Sequence, residues 1–139
     1  MKKTLVFIVI LASLLLSACQ PQPSSPQQIA TYCQDVDVFM QAVDAFAQLG
    51  SEASEAEYKA AYGAAVAAGN QVRLDGEDMD EQEVEDFKKA AENLAVALDY
   101  AKETVPSATN YLQTMTEVKT QYAELQVAYQ DLQTGICAP

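Results

Sequence analysis

Apolar side chains recur every three or four residues through most of this chain, in four stretches separated by turn signals. That spacing places them on one face of a helix with 3.6 residues per turn. The first stretch, residues 28–49, carries Ile29, Tyr32, Cys33, Val36, Met40, Val43 and Ala47, widened by Phe39 and Phe46. Asp37, Gln41, Asp44 and Gln48 fall on the opposite face, and Gly50 reads as a C-terminal stop. The second stretch, residues 55–74, has an inner stripe of Tyr58, Tyr62, Ala65, Gly69 and Val72. It opens on Ser54-x-x-Glu57, the pattern of a capping box. Gly63 and Gly69 weaken it by about 1 kcal/mol each relative to alanine.

The third stretch, residues 80–104, opens on Asp80-x-x-Glu83, a second capping-box pattern. It then carries Val84, Phe87, Ala91, Leu94, Leu98 and Ala101 inward. Glu85 and Lys89 are spaced to pair at i,i+4. Pro106 and Ser107 interrupt the pattern. The fourth stretch, residues 108–134, is the most regular: Ala108, Tyr111, Met115, Val118, Tyr122, Leu125, Tyr129 and Leu132, stopped by Gly135.

The N-terminal segment follows a different pattern. Lys2 and Lys3 precede thirteen residues from Thr4 to Leu16 that are apolar apart from Thr4 and Ser13. This run falls short of the roughly 20 residues needed to cross a bilayer. It ends in Leu16-Ser17-Ala18-Cys19. The segment resembles the signal peptide and lipobox of bacterial lipoproteins. The resemblance implies that residues 1–18 are removed and that Cys19 carries the lipid anchor. Gln20 follows the cysteine, where Asp would favour retention in an inner membrane. The implied address is the outer membrane in a host with two membranes, and the outer face of the plasma membrane in a host with one. Residues 20–28 contain three prolines and read as an extended tether, so residues 19–28 are anchor and tether and residues 29–139 the domain.

Charge narrows the function classes. After residue 18 there are six basic residues against twenty acidic ones, a formal charge of −14. Such a chain repels phosphate backbones, which argues against nucleic-acid binding. It attracts cations and basic proteins, or simply stays soluble. Eight of the twelve residues 75–86 are carboxylates: Asp75, Glu77, Asp78, Asp80, Glu81, Glu83, Glu85 and Asp86. Oxygen-rich clusters bind Ca²⁺, but with Asp75 as first position Met79 falls on a ligand position and Asp80 where the EF-hand turn requires Gly. Acids in a first helical turn also complement the helix dipole, which explains the run without a ligand.

Cys33 and Cys137 are the two cysteines left after the anchor. In an exported protein one disulfide joins them. Four antiparallel helices bring the start of the first and the end of the fourth to one end, so the pairing calls for an up-down-up-down four-helix bundle. The tyrosines of the fourth stripe read as core residues with hydroxyls at the bundle edge, or as part of a pocket. Gly63, Gly69 and the alanines around them read as tight packing inside the bundle, or as a docking face.

Enzyme chemistry finds little support. There is no histidine, no phosphate-binding loop and no nucleophile motif. Di-metal bundle sites use Glu-x-x-His pairs that this chain cannot supply. The reading is therefore an all-α, lipid-anchored, cofactor-free binding or structural module. Its alternatives are a cation-responsive module built on the acidic run and an inhibitor of a basic cell-wall hydrolase.

Overall fold

A computed structural model describes residues 24–104 and 111–139. These contain four α-helices and no strand: α1 (Pro26–Ala47), α2 (Glu55–Asp75), α3 (Gln82–Thr104) and α4 (Tyr111–Thr134). The signal segment, Cys19, Gln20, Pro106 and Ala108 lie outside the described residues.

Local chemistry sets the helix ends. Ser25 caps α1, its hydroxyl accepting from Gln28 N–H, and Pro26 occupies the first turn, where its missing N–H is harmless. The helix thus begins two residues before the expected Gln28. It ends at Ala47, before Gly50, whose backbone is not left-handed. The capping box at Ser54 and Glu57 forms as expected, with the Glu57 carboxylate accepting from Ser54 N–H at 2.7 Å. The second predicted box does not form around Asp80. Glu81 precedes the first helical residue, and its carbonyl accepts from Val84 and Glu85.

The stripes become a helical-bundle core. Tyr32, Val36, Val43, Phe46, Val84, Phe87, Leu94, Val118, Leu125 and Leu132 are all fully buried. Phe39 and Phe87 meet edge to face at 6.2 Å, and Phe46 and Tyr58 at 5.9 Å. Such aromatic pairs add about 0.5–1.5 kcal/mol beyond burial. Met79, in the acidic turn between α2 and α3, is also buried, plugging one end of the core.

The helices pack as two close pairs, α1 with α2 and α3 with α4, with looser seams at α2–α3 and α1–α4. Small residues set the α1–α2 distance. A methyl at Gly69 would lie 3.1 Å from the Phe39 ring, and one at Gly76 would lie 2.8 Å from the Tyr32 ring. A side chain at Gly76 would displace the Tyr32 ring, and one at Gly69 would need the Phe39 ring to give by a few tenths of an ångström. Gly63 faces open space and has no such role. Cys33 and Cys137 form the disulfide, with Cα atoms 5.8 Å apart, and tie the C-terminal end to α1.

Candidate functional site

The α1–α4 seam is polar. Tyr129 Oη donates to Asp37 Oδ1 at 2.8 Å, and Gln133 Nε2 donates to the same oxygen at 3.1 Å. One heptad away, Tyr122 Oη donates to Asp44 Oδ1 at 3.2 Å. At the far end Tyr111 Oη donates to Leu49 O at 2.8 Å, beside Tyr58 Oη on Gly50 O at 2.8 Å. The fourth-stripe tyrosines are thus half-buried latches at the bundle edge. Burial is the main cause raising the phenol pKa of Tyr122 and Tyr129, with the adjoining aspartates adding to it. Burial and then the Tyr111 hydroxyl push Tyr58 up to about 12. All three stay protonated donors at neutral pH. Asp37 and Asp44 correct the expectation for α1: they sit at its edge and receive these bonds instead of pointing away from the core.

The α2–α3 seam is apolar. Ala65, Gly69, Ala91 and Ala95 leave both walls short, and a groove of about 210 Å³ opens above Phe39, Val72 and Leu98. Its charged rim residues are Arg73, Lys88 and Glu92. Tight packing explains Gly69 over Phe39 and the buried Ala65, whereas Ala95 on the α3 wall is exposed. Beyond one mouth, Tyr62 Oη donates to Asp99 and Lys102 Nζ lies 4.7 Å over the Tyr62 ring.

The acidic run surrounds the α2–α3 turn, at the same end as the disulfide. Glu81 accepts from Ser24 Oγ at 3.1 Å, so the chain enters the domain beside this turn. The carboxylates of the run go separate ways. Asp75 accepts from Gln71, Asp86 from Gln82, and Glu85 pairs with Lys88 at 2.7 Å. That ion pair is at i,i+3 and replaces the expected Glu85–Lys89 pair. Among the described residues no three Cys, Asp or Glu side chains are grouped to hold a metal ion.

One contact in the run crosses helices. Asp35 of α1 and Asp75 of α2 lie against each other, and their mutual hydrogen bond raises the Asp35 pKa and lowers that of Asp75. Tyr32, on the same helix as Asp35, is fully buried, and its hydroxyl has no hydrogen-bond partner among the protein atoms. Burial, reinforced by Glu85, raises its pKa.

No known protein family, curated protein or solved structure matches this chain. The site must therefore be read from its own residues. Of the residues singled out in sequence, the disulfide pair is brought together, Cys19 lies outside the described residues, and the acidic run is dispersed over one pole. The Gly/Ala stretch was read as tight packing or as a docking face, but the place of Arg73 and Lys88 beside it was missed, because their spacing across two helices is not written in either helix. Among the described residues no helix is long and apolar enough to cross a membrane.

Proposed function

We propose that the protein is an envelope lipoprotein, held at the membrane by acyl chains on Cys19, whose acidic helical domain acts as a non-catalytic binding or structural module. The opposed order of contacts between successive helices supports an up-down-up-down four-helix bundle closed by Cys33–Cys137. Residues 1–18 are the signal peptide and residues 19–28 the anchor and tether, of which the last three, from Pro26, form the first turn of α1. Gln20 directs the protein to the outer membrane where the host has two membranes, and otherwise it stays on the outer face of the plasma membrane.

The observation that carries the binding reading is the uncompensated acidity. Only Glu55, Glu85 and Asp99 form ion pairs among the described residues, each with a lysine three or four residues away on its own helix. The remaining carboxylates leave a strong negative field, concentrated at the pole around the α2–α3 turn. Such a field selects a basic protein partner, and a basic cell-wall hydrolase is one member of that class.

The test is capture from host envelope extract by the oxidised protein at low and high salt. A partner retained at low salt and released at high salt supports the reading. Absence of any partner in both conditions overturns it in favour of a passive structural role.

A further inference from the structure

We propose that the α2–α3 groove is a binding site for a single-chain anionic amphiphile, a free fatty acid, with the acyl chain over Phe39 and the carboxylate at Arg73 and Lys88. The site borders the acidic run, because Lys88 pairs with Glu85, but its ligand is distinct from the basic partner of that run.

The shape of the groove selects the chain. It holds about 210 Å³ and is lined chiefly by Phe39, Val66, Val72, Leu98 and short alanines. That exceeds the roughly 150 Å³ of an apolar cavity able to take up benzene. A second copy is disfavoured. Stable interfaces bury about 1,200–2,000 Å², yet of the large apolar side chains left exposed only Val66 lines this groove.

Charge selects the head group. The chain has 8 basic residues against 20 acidic ones, yet two of the three charged residues lining this groove are cations. Arg73 and Lys88 both stand at the end nearest the α2–α3 turn, so a carboxylate there leaves its chain to run toward Val66 and Leu98. Arg73 makes no ion pair among the described residues, whereas Lys88 already holds Glu85. Arg73 is therefore the principal contact, and a guanidinium fork fits a carboxylate at two points. Glu92 on the opposite wall opposes an anion. Glu85, paired with Lys88 at 2.7 Å, offsets that cation and leaves Arg73 to hold the head group.

The probe is decanoate labelled with ¹³C at the carboxyl carbon. It is titrated by NMR against the oxidised full-length protein in phosphatidylcholine nanodiscs, with empty discs as blank. The expected result is saturable binding above the blank. Arg73→Gln weakens it about tenfold, the loss of one charge-assisted contact. Glu92→Gln tightens it. Ala95→Phe, at an exposed position in the groove wall, abolishes it while thermal unfolding stays unchanged. Decyltrimethylammonium, with the opposite head charge, binds more weakly than decanoate. Binding no greater than the blank overturns the proposal, as does equal affinity for the two head groups. So does decanoate binding that survives both Arg73→Gln and Ala95→Phe. Self-association abolished by Ala95→Phe, with no decanoate bound, reassigns the groove to an interface between copies. Arg73→Gln lies outside the core and keeps the test decisive if Ala95→Phe fails to fold.

Discussion

The Tyr129 hydroxyl donates to the Asp37 carboxylate at 2.8 Å, joining the last helix to the first where the two pack loosely. Hydrogen bonds to a half-buried carboxylate count for more than those between neutral groups. Removing the phenol oxygen leaves Gln133 as the remaining donor to that oxygen among the described residues. Tyr129→Phe is expected to lower stability by about 1–2 kcal/mol. The Tyr129→Phe/Asp37→Asn double-mutant cycle, read by urea unfolding, should give a coupling of about 1 kcal/mol. Independent, additive effects would show that the latch contributes nothing.

The disulfide closes the same seam. Its cysteines are separated by 104 positions, and in chain-entropy terms a loop of that size stabilises by about 3–5 kcal/mol. The Cys33→Ser/Cys137→Ser variant should unfold at correspondingly lower urea while keeping its helical circular dichroism. Unchanged stability would mean that the reduced chain is already as constrained as the oxidised one.

Tyr32 gives a prediction of opposite sign. Its ring fills the core, but its buried hydroxyl has no partner among the protein atoms. Tyr32→Phe keeps the ring and removes the unmatched group, so it should stabilise by about 1 kcal/mol. Destabilisation in thermal unfolding would reveal a partner for that hydroxyl.

Much of the architecture was legible because burial follows spacing. Val84, Phe87, Leu94 and Leu98 were placed by their repeat alone, and Ser54 with Glu57 announced a helix start. What was not legible depends on distances between helices. Asp37 and Asp44 looked like solvent residues because their partners are 92 and 78 positions away. Met79 looked like a turn residue among acids, yet it is a core plug because the turn folds over the bundle end. Gly69 and Gly76 could be read as small, but only the Phe39 and Tyr32 rings say why. Glu85 is spaced to meet Lys89 at i,i+4, yet it pairs with Lys88 at i,i+3.

Asp35 and Asp75 predict a response to pH. Asp35, raised by its bond to Asp75, contributes stability that is full below its unfolded value and is lost as pH rises through its raised folded value. Asp75, lowered by the same bond, contributes stability present above its unfolded value and lost as pH falls through its lowered one. The contact is therefore best in mildly acidic solution, near the ordinary Asp value of about 3.9. At neutral pH two carboxylates face each other. Asp35→Asn keeps a donor toward Asp75 at every pH. It should stabilise at pH 7 by about 0.5 kcal/mol, the scale of exposed charge pairs. The gain should shrink toward pH 4, and a gain independent of pH would exclude the shared proton as its source.

The central claim is that the acidic pole recruits a basic partner. Its most direct test is capture from host envelope extract by the wild-type protein and by a variant with Glu77→Gln, Asp78→Asn, Asp80→Asn and Glu83→Gln, side by side at low salt. None of these four carboxylates takes part in an ion pair among the described residues. The account predicts that the wild type retains a basic protein that the neutralised variant releases. Equal capture by the two would contradict it.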